Sequence, residues 1–251
     1  MEGVRLLSGS GLPTIEDKRE FVRAMFTGIA PRYDLMNRLL SLDRDRRWRR
    51  FSARVANVPD GARVLDVCCG TGELALAMAR AARDVTVIGV DFVGEMLRIG
   101  HRKVVGTRAA RAFIPVLGDA LALSFPSDTF DVVCVGFGVR NVASLKTGVA
   151  EMVRVAKPGG RVVILEFSEP RGRILKTLYM FYFRRLLPRI GNALSGTRMG
   201  AYTYLPASVL EFPDVERLAD VMRECGLVGV EYHWRTLGIV AVHVGRKRIP
   251  S

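Results

Sequence analysis

The sequence predicts an α/β fold: a doubly wound, mostly parallel sheet of seven strands with an antiparallel strand at one edge. Three observations predict it. Short apolar, β-branched runs recur at Arg63–Val67, Val85–Val90, Phe113–Leu117, Phe130–Val135 and Arg161–Glu166, as expected of strands covered on both faces. Helical periodicity fills residues 72–83, 93–105 and 144–156 between them, and strands alternating with helices give a parallel sheet with helices on both sides. A helix at 214–225 is then followed by Val228–Arg235 and Ile239–Gly245, with Gly238 placed to turn a hairpin that sets the last strand antiparallel at an edge.

Residues 1–14 read as a loose tail, and 15–251 as one domain. Its first part, 15–60, is a helical appendage. Phe21, Val22, Met25, Phe26 and Ile29 recur at helical spacing, Pro31 interrupts, and Tyr33, Met36, Leu39 and Leu40 resume. A third helical stretch, Asp45–Ala56, crowds arginines around Trp48. The parallel core spans 61–170, with Lys157-Pro158-Gly159-Gly160 as the turn before strand five. A basic and aromatic cap follows at 171–212, and the helix and hairpin close the chain at 213–251.

Lys and Arg total 38 against 25 acidic residues, a net charge of +13 that favours anionic partners: nucleic acid, phosphorylated substrates or a membrane surface. Cys68, Cys69, Cys134 and Cys225 contain no C-x-x-C spacing. They read as small buried thiols in a reducing, cytoplasmic compartment. No metal site is expected. The N-terminus lacks a signal-peptide core, and no apolar run approaches the roughly 18 residues of a membrane span.

The chemistry starts at Val64–Ala79, VLDVCCGTGELALAMA. A strand ends in Asp66, turns through Cys68-Cys69-Gly70-Thr71-Gly72 and enters a helix, a unit that can hold a nucleotide-like ligand. Residues 70–75 also satisfy the dinucleotide pattern G-x-G-x-x-A. Against a dinucleotide, Asp66 would stand close to a diphosphate, and Cys68 takes the place of the first glycine. Asp66 suits a ligand with an amino group. Asp91, ending strand two, can accept from two ribose hydroxyls. Asp119, followed by Ala120 after strand three, can accept from an exocyclic amine such as adenine's. All three carboxylates share the rim where open α/β sheets bind ligands.

Asp66 through Gly72, Asp91, Asp119 and the KPGG turn together resemble the class I S-adenosylmethionine-dependent methyltransferases. Residues 33–48, YDLMNRLLSLDRDRRW, and 154–168, RVAKPGGRVVILEFS, are similar to the two signatures of the ubiquinone/menaquinone biosynthesis methyltransferases. Gly136–Val142, LPRIG and AYTYL extend the likeness over roughly residues 20–248. Three positions depart from that family: Asp45 stands where His is usual, Ala156 where Leu or Ile is usual, and Gly136 where Ser is often found.

The resemblance implies a Rossmann-like fold, S-adenosyl-L-methionine as cofactor, and transfer of its methyl group to a ring carbon of a polyprenylated quinol. Cofactor binding is expected at Asp66, Gly70, Thr71, Gly72, Asp91, Phe92, Asp119, Ala120 and Gly136. The carbon becomes nucleophilic when a ring hydroxyl loses its proton, so Arg140 is expected to stabilise the phenolate-like oxygen and Asn141 to orient it. Tyr33, Asp34 and Asn37 are expected to close over the ring. Glu166 reads either as a base or as a structural acceptor, and His233 and His243 as strand histidines. Arg171 to Arg198 mixes cations with aromatic residues and is expected to dock on anionic lipid at the inner face of the cell membrane. A homodimer fits the same segment. Ring type stays open. Methylation of another small molecule or of RNA is the alternative, but the N-P-P-[YF] tetrapeptide of nucleic-acid methyltransferases is missing after strand four, which disfavours nucleic acid.

Overall fold

The computed structural model describes residues 15–105, 112–170 and 201–250, together with 172, 177, 179, 181, 182 and 185. Seven strands, β1 (Arg63–Val67), β2 (Thr86–Asp91), β3 (Phe113–Leu117), β4 (Phe130–Gly136), β5 (Ala156–Phe167), β6 (Leu227–Arg235) and β7 (Val240–Lys247), form one sheet in the order β3-β2-β1-β4-β5-β7-β6. The first five pair in parallel, and β7 runs antiparallel to both β5 and β6. The expected antiparallel pairing therefore lies at this edge, but β6 rather than the last strand is outermost. Burial explains the choice. Val240 to His243 in β7 are all buried, as an inner strand requires, whereas every residue of β6 after Leu227 is exposed or half-buried.

The helices are α1 (Ile15–Ile29), α2 (Tyr33–Ser41), α3 (Asp45–Ala56), α4 (Glu73–Ala79), α5 (Gly94–Val104), α6 (Leu145–Val155), α7 (Ala201–Glu211) and α8 (Val215–Glu224). One face of the sheet packs against α3, α4 and α5, and the other against α6 and α8. Ser144 and Asp214 start α6 and α8 by accepting from the backbone N–H three residues on. A third apolar cluster joins Val22, Met25, Ile29 and Met36 to Val93, Met96 and Tyr204. It lays α1 and α2 over the C-terminal rim of the sheet, beside the topological switch between β1 and β4.

Two boundaries shift. Helix α4 stops at Ala79, short of residue 83, because Asp60 accepts from both the backbone and the guanidinium of Arg83 and holds that segment as a turn. Strand β5 already pairs at Ala156, and the KPGG turn is a bulge between the Phe130–Ala156 and Val132–Arg161 pairs. The tail at 1–14 and most of Arg171–Arg198 lie outside the described residues, so the expected lipid-docking segment is not placed. Among the described residues, no helix is long and apolar enough to cross a membrane.

Candidate active site

The site begins at the turn after β1. Gly70 and Gly72 have φ of 54° and 80°, the left-handed region that glycine enters freely. Cys68 also sits at φ 54°, a conformation costing a side-chain-bearing residue about 1–2 kcal/mol. The chain thus makes with a cysteine the bend for which a dinucleotide motif uses glycine. The loop after β4 closes onto this bend: a Cβ on Gly138 would stand 2.4 Å from the Cβ of Cys68, so only glycine fits there.

Side chains from three elements tie the turn down. Asp91 accepts from the Gly70 N–H at 2.8 Å and the Val93 N–H at 2.9 Å. Burial raises its pKa, and those two bonds oppose the rise. Thr71 Oγ1 donates to Asp34 at 2.6 Å. Lys103 pairs with Asp34 and, at 3.0 Å, with Glu73. Asp34 therefore clips α2 to the glycine turn and does not reach over an acceptor ring, which corrects that expectation.

Between this turn and α1 lies a narrow cavity of about 80 Å³. Asp66, Gly70, Thr71, Asp91, Phe92, Asp119, Ala120 and Gly136 all line it. Gly72 does not, and instead caps α4. Asp66 is fully buried with Oδ2 unpartnered among the described residues, and burial pushes its pKa up to about 7. Helix α1 straps the cavity: Lys18 donates to the carbonyls of Arg140 and Val142, and Arg19 pairs with Asp119 at 3.2 Å. That pair must loosen or share before Asp119 can accept from a ligand's amine.

A second, larger cavity of about 600 Å³ lies beyond. Its walls are mainly apolar and aromatic, among them Ile29, Trp48, Phe167, Tyr179 and Tyr182. Phe26, Tyr33, Arg49 and Phe137 line both cavities and form their shared wall. The buried cations reach the second cavity already paired. Arg49 is bonded to Asp45, both buried. Arg140 donates to Glu166 at 2.8 Å and to the Phe137 carbonyl at 2.7 Å, and its guanidinium lies 5.3 Å from the centre of the Phe167 ring. Arg140 Nε has no partner among the described residues.

The pattern of the ubiE/COQ5 methyltransferase family matches residues 14–247. The chain belongs to that family. Over 93% of its length it is 47% identical to the ubiquinone/menaquinone biosynthesis C-methyltransferase UbiE of Geobacter sulfurreducens, covering 91% of that protein. It is 46% identical to the demethylmenaquinone methyltransferase of Deinococcus radiodurans, covering 93% of this chain and 95% of that one. A solved S-adenosylmethionine-dependent methyltransferase from Thermotoga maritima, described as a possible histamine N-methyltransferase, shares the fold. Its TM-score is 0.60 at 18% identity, over 90% of this chain and 99% of its own.

The ubiE/COQ5 methyltransferases use S-adenosyl-L-methionine, and the chemistry of the first cavity's lining suits it: Asp66 Oδ2, without a partner among the described residues, can accept from an α-ammonium group. At Gly136 the space that a hydroxyl-bearing side chain would take is partly filled by Leu74, whose Cδ2 lies 3.1 Å from where a Cβ on Gly136 would stand. Asn141 lines the first cavity and not the second. Its amide donates to the Phe137 carbonyl, and its Oδ1 accepts from Tyr204 at 3.3 Å. Tyr33 stands on the shared wall and Asn37 lines only the second cavity. Glu166 lines neither and accepts from Arg140 and the Phe167 N–H, so it is a structural acceptor. His243 is buried, its pKa pushed down to about 4, and bonds the Val215 carbonyl. His233 packs edge-on against Phe51.

Sequence reasoning passed over Arg49, Phe137 and Tyr204. A signal for Arg49 was present: Asp45 and Arg49 stand four apart on one helix with Trp48 beside them, the spacing of a helical ion pair. Asp45, where the family usually has His, also bonds Ser41. It thus holds Arg49 from a position where the family usually carries an imidazole.

Proposed function

We propose that the chain transfers a methyl group to a ring carbon of a polyprenylated quinol. The observation that carries this reading is a large aromatic cavity that meets the cofactor cavity through one shared wall, with the Arg140 guanidinium inside. Relatives of closely similar length bear the names of ubiquinone and menaquinone biosynthesis methyltransferases, and a flat ring with an isoprenoid tail suits walls of this composition.

The cofactor supplies an electrophilic methyl group. The protein's part is alignment and control of charge. Asp66 takes the amino group of the donor, and Asp91 offers its remaining lone pairs to ribose hydroxyls while holding Gly70. Phe26, Tyr33 and Phe137 sandwich the place where donor and ring meet and exclude water. The Arg140 side chain lines the acceptor cavity and would stabilise a ring oxygen that has lost its proton to solvent before the ring seats, so that the neighbouring electron-rich carbon bonds to the methyl group as the methyl–sulfur bond breaks. Glu166 fixes the guanidinium plane from the far side. Tyr204, its pKa pushed up to about 12 by burial, stays a neutral donor that braces Asn141. The acceptor's tail belongs in a bilayer, so the enzyme works from the cytoplasm as a peripheral protein.

The test is an assay of purified protein with S-adenosylmethionine and chemically reduced short-chain naphthoquinols and benzoquinols, read by mass spectrometry. Ring-methylated product from at least one is expected. If neither is methylated while S-adenosylhomocysteine binds in calorimetry, the acceptor assignment is wrong.

A further inference from the structure

Two turns at the mouth of the larger cavity carry leucine where the backbone favours glycine or asparagine. Leu42, after α2, has φ 53° and is 79% exposed, and Leu237, between β6 and β7, has φ 59° and is 71% exposed. Neither conformation calls for a branched apolar side chain. The two tips come from opposite ends of the chain, yet both line the same cavity, as does Leu39, also exposed. Apolar side chains gathered around an opening mark a surface that an apolar partner covers.

The surrounding charge narrows the choice of partner. Arg44 on the α2–α3 turn, Arg38 in the last turn of α2 and Arg46 and Arg47 in the first turn of α3 are exposed. Asp43 pairs with Arg46 at 3.4 Å, while no carboxylate is paired with Arg44 or Arg47 among the described residues. Exposed leucines on tight turns ringed by arginines match a lipid surface, with acyl chains for the tips and phosphates for the cations. We propose that Leu42 and Leu237 seat the cavity mouth on an anionic bilayer, with Arg44 and Arg47 meeting lipid phosphates. This rests on the quinol reading in one respect: a tail leaving the cavity between these tips would pass into the membrane without crossing water.

The experiment is co-sedimentation of the full chain with quinol-free vesicles, either phosphatidylcholine alone or an equal mixture with phosphatidylglycerol. The variant Leu42→Asn/Leu237→Asn removes both apolar tips with a residue that tolerates left-handed backbone, so folding is not the issue. S-adenosylhomocysteine binding is measured alongside as a check on integrity. Leu117→Asn, an equally exposed leucine away from the cavity, is the control. Wild type is expected to bind the mixed vesicles, less so at high salt. The double variant should bind at least about tenfold more weakly, and Leu117→Asn as wild type. Wild type that ignores vesicles, a double variant that binds as well as wild type, or a Leu117→Asn loss of equal size would each overturn the proposal. So would a lipid-free dimer that the double variant abolishes, because a second copy would then be what covers the tips. Since the vesicles contain no quinol, docking without methylation would sink the quinol reading alone.

Discussion

The cofactor cavity and the acceptor cavity share a wall of four side chains but handle charge in opposite ways. On the cofactor side, buried polar groups stand incomplete: Asp66 Oδ2 has no partner among the described residues, and Asp91 spends only part of its hydrogen-bonding capacity on backbone N–H groups. A polar, charged ligand can complete them. On the acceptor side the buried cations arrive neutralised, Arg49 by Asp45 and Arg140 by Glu166. A hydrophobic ring with a hydrocarbon tail cannot compensate a bare buried charge, so the protein must do it. What differs is net charge and not every polar atom: Arg140 Nε and Glu166 Oε2 also lack partners among the described residues, but the two side chains form one neutral pair.

The largest effect is expected where that rule is broken on the acceptor side. Arg140→Gln leaves Glu166 buried without its cation, which should lower stability by about 3–5 kcal/mol. Arg140→Gln/Glu166→Gln removes both charges and should recover most of that stability in thermal or urea unfolding. Turnover should remain about 100–1000-fold down in both, with S-adenosylhomocysteine affinity preserved. If the double variant regains turnover together with stability, Arg140 acts only through the fold.

On the cofactor side the effect should be smaller and of the other kind. Asp91→Asn keeps the shape but can turn an N–H against the Gly70 N–H, losing a charge-assisted bond of about 1.5–3 kcal/mol, or roughly 10–100-fold in cofactor affinity. Calorimetry with S-adenosylhomocysteine measures it. The KM for a short-chain quinol should not move. A shift in that KM equal to the loss in cofactor affinity would mean the two cavities are not separable.

How much could be read in advance divides along the same wall. Asp66, Asp91 and Asp119 were legible because each stands at or just past the C-terminal end of a strand, and parallel strands bring those ends to one rim whatever lies between them. Strand order was less legible: a hairpin requires β6 and β7 to pair but leaves open which meets β5, and burial decided it. The acceptor side draws on α2, α3, the loop after β4 and the turn before β7, segments whose proximity is a tertiary fact. Arg140 was found because it sits just past a strand. Its partner Glu166 was found as a candidate but not as a partner, since adjacency of β4 and β5 is needed to join them. Asp34 was assigned by helical spacing to the ring, and Thr71 and Lys103 claim it instead.

The unfinished state of the cofactor side has a pH signature. Asp66 is held at a pKa of about 7 by burial, against 3.8 when exposed to water. The folded protein therefore binds that proton more tightly than the unfolded chain, and Asp66's contribution to stability is full below about pH 4 and lost as pH rises through about 7. An ammonium group beside Oδ2 favours the carboxylate, so ligand binding should release a proton near neutrality. Affinity for S-adenosylhomocysteine should then rise with pH, by up to about tenfold per unit below pH 7, and level off above it. Ligand-free melting temperature and ligand affinity thus move in opposite directions across one window. Calorimetry in buffers of different ionisation enthalpy counts the proton directly. Methylthioadenosine, which lacks the amino acid head, should bind without that dependence, and Asp66→Asn should flatten both curves. An affinity for S-adenosylhomocysteine that does not change with pH in the wild type would remove Asp66 as the ammonium's partner and leave its buried oxygen to be explained by the fold.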